Sequence, residues 1–221
     1  MTAALDHLVV AAATLEQGVV WCEATLGVTP DAGGRHALMG THNRLLAIGS
    51  DVLPQSYLEI IAVDPDAPAP ARVRWFGLDD ASLQHRLRRH GPRLVHWVAR
   101  TDALEARRAT QARVGVDPGP VVAAQRETAA GTLRWRITLR DDARRFAGGA
   151  WPLWIEWGGV HPTSALPARG VALRTFTVGG VPAAAAAALD VSGVTVVERG
   201  APLHAVLDTP RGRVELVGDE G

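Results

Sequence analysis

The chain has 221 residues, 47% of them hydrophobic, with 23 basic and 23 acidic residues. Such a length allows one large domain or two small ones with a real core, and the balanced charge argues against a nucleic-acid partner. The single cysteine, Cys22, excludes an intrachain disulfide and a cysteine-based zinc site. No apolar run predicts a membrane span or a leader, so we expect a cytoplasmic protein with no membrane partner.

An internal repeat organises the chain. Residues 5–28 and 94–116 align with one single-residue gap. Each begins with a short strand-like run and continues into a helix that ends at a glycine, with Thr14 and Asp102 as the expected N-caps. The matched positions are Leu5 with Leu94, His7 with His96, Leu15 with Leu104, Glu16 with Glu105 and Gly27 with Gly115.

The first repeat predicts a βαβββ module over residues 4–65. After its helix come three predicted strands, at about 35–39, 42–48 and 57–62. Residues 66–92 follow as a linker with an extra helix over about 78–90, capped near Asp79.

The second repeat predicts another βαβββ module, over residues 93–163, with later strands at about 119–125, 132–140 and 153–157. In the middle one, Leu133 and Trp135 share one face while Arg134 and Arg136 share the other, the alternation of a strand with one buried face.

Residues 168–219 predict a third, reduced βαβββ module at the C-terminus. Its expected elements are a strand at 171–178, a helix from Pro182 to about 189, and strands at about 194–199, 203–208 and 213–217. The fold class is therefore α+β: curved mixed sheets that form a cup, with helices on the outer faces. The third module either pairs with its counterpart in a second subunit or braces the edge of the main sheet, and exposed edges favour a homodimer.

Four ionisable residues lie inside apolar strand runs, where an unpaired charge is costly. His7 and His96 are on the first strands of the two repeats, and Glu59 and Glu156 are on the last. Imidazole and carboxylate suit a divalent first-row metal, whose open positions would polarise a substrate oxygen or activate water. The alternatives are satisfied core histidines, and glutamates that act as acid/base groups or pair with arginines.

Three phrases carry a resemblance to a known family: GGRHALMGTHNRLLAIG at 33–49, YLEIIAVDP at 57–65 and PLWIEWGGVHP at 152–162. They resemble the glyoxalase-like domain branch of the glyoxalase/bleomycin-resistance/extradiol-dioxygenase (vicinal oxygen chelate) superfamily. The repeated His and Glu resemble the metal site of glyoxalase I, which implies His7, His96, Glu156 and Glu59 as ligands of Ni, Zn, Co, Mn or Fe. The third module departs from this pattern, because Thr175 replaces the histidine.

Other polar residues are candidates for binding a small-molecule substrate. His42 and Asn43, at a turn entering a strand, either reach the cavity or serve the turn. Arg134 and Arg136 either hold a substrate carboxylate or lie on a solvated outer face.

Two of the seven tryptophans, Trp97 and Trp154, neighbour His96 and Glu156 and could form an aromatic wall of the cup; core packing is the alternative.

The leading hypothesis for function is a metal-assisted lyase or isomerase that acts on a small oxygenated metabolite. In this hypothesis Glu59, if it is not a metal ligand, is the general base. The alternatives are a metal-free small-molecule binding protein, as in the resistance relatives, and an Fe(II) extradiol-type dioxygenase with two His and one carboxylate.

Overall fold

The computed structural model describes residues 3–128 and 131–218, and within them it has twelve strands and four α-helices. The first unit comprises β1 (Ala3–Ala11), α1 (Leu15–Leu26), β2 (Asp31–His36), β3 (Thr41–Ala47) and β4 (Tyr57–Val63). A 3₁₀ turn (Trp75–Gly77) and α2 (Ala81–His90) connect it to the second unit, which comprises β5 (Arg93–Thr101), α3 (Leu104–Arg113), β6 (Val121–Thr128), β7 (Gly131–Thr138) and β8 (Leu153–Trp157). The C-terminal unit comprises β9 (Ala172–Val178), α4 (Ala183–Leu189), β10 (Val194–Val196), β11 (Leu203–Thr209) and β12 (Gly212–Val217).

The first two units share one eight-stranded sheet with the palindromic order β2-β3-β4-β1-β5-β8-β7-β6. The first and last strands of each unit are parallel, and β1 and β5 pair antiparallel at the centre, where Leu8 lies opposite Trp97. His7 faces Val98 and Val9 faces His96, so a pseudo-twofold axis through the Leu8–Trp97 pair relates the two units. The sheet curls into a cup, and the predicted α+β class is confirmed.

A β-bulge precedes each strand histidine. Pairing between β1 and β5 skips Asp6 on one strand and Val95 on the other. A bulge adds one residue to a strand and re-aims its side chains. For this reason Asp6 does not alternate with His7 but contacts it on the same face of the sheet.

The two faces of the large sheet bury different clusters. We call the face that carries Val9 and Ile155 the cup face, and the face that carries Leu8, Trp97 and Trp154 the outer face. Helices α1 and α3 and the four-stranded C-terminal sheet cover the outer face. On the cup face, the connecting 3₁₀ turn and α2 fill one side of the cup with Trp75, Phe76, Leu78, Leu83 and Leu87.

The C-terminal unit keeps the predicted βαβββ order but pairs its strands as β10-β9-β11-β12. It packs on the outer face of the main sheet, whereas we expected it at an edge or in a dimer contact. The rings of Phe176 and Trp97 meet at a centroid distance of 5.3 Å, and the Leu173 amide donates to the Ile48 carbonyl oxygen at 2.8 Å. The physical reason is that the outer face around Trp97 on β5 is apolar. Without the C-terminal unit packed on it, this apolar surface would be exposed to water.

The N-caps of α1 and α2 lie where the sequence predicts them, and that of α3 does not. Thr14 caps α1 as predicted, accepting from the Gln17 amide at 3.1 Å. The cap of α2 is Asp80, which accepts from the Ser82 amide and lies within one residue of the expected position near Asp79; Asp79 itself binds Arg74. Asp102 does not cap α3, whose N-cap position falls one residue later. No helix in the described ranges is long and apolar enough to cross a membrane.

Candidate acid–base site in the cup

A buried row of polar side chains crosses the cup face of the first unit. Its centre is His7, whose Nδ1 lies 2.7 Å from Asp6 Oδ1 and whose Nε2 lies 3.6 Å from Glu59 Oε2. The other oxygen of Glu59 accepts from Asn43 Nδ2 at 2.5 Å. Both His7 and Glu59 are only 5% exposed. This row therefore places one imidazole nitrogen and one carboxylate oxygen side by side in a site that excludes most water.

Asp6 orients the imidazole from behind. This fully buried carboxylate also accepts from Trp157 Nε1 at 2.9 Å and from His161 Nε2 at 3.0 Å. Burial by itself would raise the pKa of Asp6, but the hydrogen bonds from His161 and His7 hold that pKa well below its ordinary value. Asp6 is thus an ionised acceptor, and His7 Nδ1 carries the proton that points at it.

Asn43 extends this row toward the mouth of the cup. Its Oδ1 accepts from the Gly34 amide at 2.8 Å and lies 3.5 Å from a guanidinium nitrogen of Arg126. His36 lies beside it, with Nε2 3.5 Å from Asn43 Nδ2. Burial, and then the positive charge of Arg126, lower the pKa of His36 to about 3. His36 is therefore neutral at physiological pH and can accept a hydrogen bond.

These polar side chains line an inner cavity with a free volume of about 30 Å³, roughly the space of one or two water molecules. The second unit and the connection supply an aromatic and aliphatic wall opposite the polar groups, formed by Trp75, Phe76, Trp135, Ile137, Ile155 and Trp157. The indole N–H of Trp75 is buried and has no hydrogen-bond partner in the described ranges. Phe76 holds a left-handed backbone angle, φ 59°, which is uncommon for an aromatic residue.

A larger vestibule of about 390 Å³ borders the inner cavity and shares Leu45 and Arg126 with it. Strands β2, β6 and β7 and the segment 160–166 line this vestibule. Its volume is in the range of small-molecule sites, whereas the inner cavity admits only the tip of a ligand.

His96 is the pseudo-symmetric counterpart of His7 but has a different environment. Its Nδ1 lies 2.8 Å from both the nitrogen and the carbonyl oxygen of Trp97, and its ring packs 5.3 Å from Phe76. Burial lowers the pKa of His96 to about 3, and the charge of Arg145 acts in the same direction. The connecting segment has filled the half of the cup that His96 would otherwise line.

Glu156 is not the structural counterpart of Glu59. In the first unit Glu59 lies opposite Val9, and in the second unit Leu153 lies opposite Val98, the counterpart of Val9. Leu153 therefore occupies the position equivalent to Glu59. Glu156 is three residues further along β8, and because side chains alternate, this odd offset places it on the outer face.

Contacts on the outer face agree with this placement. Glu156 lies 3.3 Å from Arg136 and accepts from the Leu104 amide at the start of α3. Arg134, which shares the outer face of β7 with Arg136, is exposed.

The remaining expected binding residues divide between the two faces. Trp97 and Trp154 lie in the outer core rather than in a cup wall, and Arg107 stacks on Trp154 at 5.1 Å. His42 points away from the cup, 4.0 Å from Asp64, while its neighbour Asn43 points into it. The structure thus brings together His7, Asn43 and Glu59, and separates them from the other candidates.

The donor set does not fit the expected metal site. A catalytic zinc or iron site takes three protein ligands. No three His, Cys, Asp or Glu side chains converge in a metal-binding group anywhere in residues 3–128 and 131–218. Glu156 is on the wrong face to join His7, and Asp6 already occupies His7 Nδ1. The same geometry does not fit the two-His, one-carboxylate site of an extradiol dioxygenase.

Sequence reasoning missed several residues of the site, which are Asp6, His36, Tyr57, Arg126 and His161. Tyr57 stacks on the ring of His7 at 4.5 Å. Two signals could have found some of them. Asp6 is a second ionisable residue within an apolar strand, and the glycine pair 33–34 marks a close approach, here by Asn43 and Arg126.

The chain matches one protein family by sequence and several solved structures by fold. The glyoxalase-like domain family matches residues 5–195. A search of curated proteins gives no match. A hypothetical protein from Staphylococcus aureus superposes with a TM-score of 0.53 and 16% identity, over 81% of this chain and 70% of that one. Methylmalonyl-CoA epimerase from Mycobacterium tuberculosis gives 0.40 and 19%, over 73% and 91%. A methylmalonyl-CoA epimerase in complex with methylmalonyl-CoA gives 0.45 and 17%, over 73% and 99%. Because the family model matches most of its length, the chain belongs to the glyoxalase-like domain family.

Proposed function

We propose that the protein is a lyase or isomerase that moves a proton at a carbon next to a carbonyl group in a small oxygenated metabolite. The observation that carries the proposal is the buried Glu59 carboxylate, 3.6 Å from His7 Nε2 and lining a cavity that borders the vestibule. Removal of a proton from carbon requires a positioned base, and a carboxylate beside an imidazole supplies both that base and a partner for the proton. Because the donor set does not fit a metal, the proposal uses only groups of the chain.

Glu59 is the general base in this proposal, and His7 is its partner. Asp6 holds the proton of His7 at Nδ1, so Nε2 faces Glu59 and can share the proton that Glu59 takes from the substrate. Asn43 donates to the other oxygen of Glu59 and fixes the orientation of the carboxylate. The same pair then returns the proton, to a different face or atom in an isomerase.

The negative charge that develops on the substrate oxygen needs a hydrogen-bond donor. Trp75 lines the inner cavity, and its buried indole N–H has no partner in the described part of the chain. A buried donor without a partner is costly, so a substrate oxygen bound there would recover that cost. This supports Trp75 as the donor to the enolate oxygen.

The test is proton exchange with solvent. Small 2-oxo acids, 2-hydroxy ketones and 2-oxoaldehyde thiol adducts would be incubated with the protein in D₂O, and loss of their C–H signals followed by proton NMR. We expect exchange for at least one class, and a Glu59→Gln variant should lose about 10²-fold or more of the rate. Glu156→Gln is the matched control, because that carboxylate lies on the outer face. Equal loss in both variants, or no exchange with any class, would refute the proposal.

A metal-free binding protein is the second candidate, and the aromatic wall formed by Trp75, Trp135 and Trp157 favours it. Such a protein would bind aromatic compounds, and the bound compound would quench its tryptophan fluorescence without any exchange of a ligand proton. Saturable quenching together with no exchange would therefore support this candidate over the first.

A further inference from the structure

Arg126 occupies the junction between the inner cavity and the vestibule and lines both. Its hydrogen bond to Asn43 Oδ1 is long, at 3.5 Å. No carboxylate in residues 3–128 or 131–218 lies within ion-pair distance of its guanidinium. A guanidinium has five donors in a planar fork, so most of the hydrogen-bonding capacity of Arg126 is available to a ligand.

Two glycines on β2 leave room for the guanidinium of Arg126. Arg126 is on the edge strand β6 and reaches across the mouth of the cup to β2. A Cβ added at Gly34 would lie 2.2 Å from Arg126 Nη1, and one at Gly33 would lie 2.1 Å from Asn43 Oδ1. Glycine at both positions therefore lets the two polar side chains pack against the β2 backbone, and the guanidinium is held at the mouth.

The rest of the vestibule is mainly apolar. The carboxylate of Asp31 is already paired with Arg169, so it does not compete for Arg126. The apolar lining includes Leu45, Leu133 and Val160, and Val160 is 62% exposed although it is a large hydrophobic residue. An exposed apolar side chain at the rim of a pocket is typical of a site that receives an apolar ligand group.

We propose that the vestibule binds an amphipathic carboxylic acid, with the carboxylate on Arg126 and the apolar tail against Leu45, Leu133 and Val160. The buried negative charge of Glu59 nearby would repel such an anion, and Arg126 offsets this repulsion. The anion site follows from the vestibule itself, and the placement of the reacting carbon beside Glu59 rests on the proposed function.

The test uses two probes of nearly equal shape, phenylacetate and its neutral amide, phenylacetamide. Binding to the intact protein would be followed by quenching of tryptophan fluorescence and by calorimetry. We expect phenylacetate to bind at least about tenfold more tightly than the amide, because a charge-assisted bidentate pair adds about 1.4 kcal/mol or more. Arg126→Gln should abolish this preference, and Arg126→Lys should keep part of it.

Arg134→Gln is the matched control, because Arg134 is exposed on the outer face of the neighbouring strand. Equal affinity for the two probes in the wild type, absence of binding by both, or a preference that persists in Arg126→Gln would overturn the inference. A Glu59→Gln variant separates the two proposals, since it should lose proton exchange and keep the preference for phenylacetate. A protein that prefers the carboxylate but exchanges no substrate proton would leave the anion site intact and refute only the proposed reaction.

Discussion

Mild acid should destabilise this protein through two buried histidines. His36 and His96 are each buried in the cup, and burial lowers the pKa of each to about 3. In the unfolded chain a histidine titrates near pH 6.5. The unfolded state therefore binds more protons than the native state between about pH 3 and pH 6.5, and the free energy of unfolding falls as the pH falls through that window.

The size of the effect follows from the two pKa values. Between about pH 7.5 and pH 5, each histidine that stays neutral in the native state and titrates near 6.5 when unfolded costs about 2 kcal/mol. The pair together should lower the free energy of unfolding by about 4 kcal/mol. The lowered pKa of Asp6 adds nothing in this window, because a carboxyl is ionised in both states there.

Urea unfolding at the two pH values measures this loss. In a His96→Gln variant the pH-dependent loss should fall to about half of the wild-type value, whatever the substitution costs at neutral pH. His85→Gln, at an exposed position on α2, is the control and should leave the loss unchanged. An equal pH dependence in wild type and His96→Gln would refute the account of His96 as a neutral buried group.

Three further substitutions test the core packing, the α1 cap and the buried contact between Asp6 and His7, each by urea unfolding at neutral pH. Phe176→Ala should cost about 3–5 kcal/mol, because this fully buried ring joins the C-terminal sheet to the outer face, while Phe146→Ala, at a 41% exposed ring, should cost much less. Equal costs would mean that the C-terminal sheet is not packed as described. Thr14→Ala should cost about 1 kcal/mol through loss of the α1 cap, and no change would show that this cap contributes nothing. Asp6→Asn should cost about 2 kcal/mol or more, because it removes the charged acceptor for His7, and a neutral result would contradict that role.

Much of the fold could be predicted because the repeat is visible in the chain itself. The matched positions around His7 and His96 imply two copies of one unit, and the palindromic sheet with its pseudo-twofold pair Leu8–Trp97 is how two such units share an edge. The strand periodicity in residues 132–140 correctly assigns Trp135 to a buried face and Arg134 to an exposed one. These features are local, so the spacing of residues along the chain is enough to find them.

The sequence predicted only the part of the site that the first unit contributes. His7, Asn43 and Glu59 come together because they lie on neighbouring strands of one unit. Glu156 matches Glu59 in the sequence because both are in the last apolar run of a repeat. The register of β8 against β5 decides which face it occupies, and a shift of an odd number of residues reverses that face.

The sequence by itself determined the α+β class, the two related units, and the first-unit pair of His7 and Glu59, because each depends on short-range periodicity and on the cost of an ionisable group in an apolar strand. Tertiary structure alone decided that Phe76 and the connecting segment fill the half of the cup next to His96, and that Arg126 reaches the other half from the far edge of the sheet. Both depend on which residues distant in the chain pack together, and β-bulges, strand register and the curl of the sheet set that packing. Two modules of similar sequence therefore build a cavity with polar groups beside His7, while the half of the cup next to His96 is packed with apolar side chains.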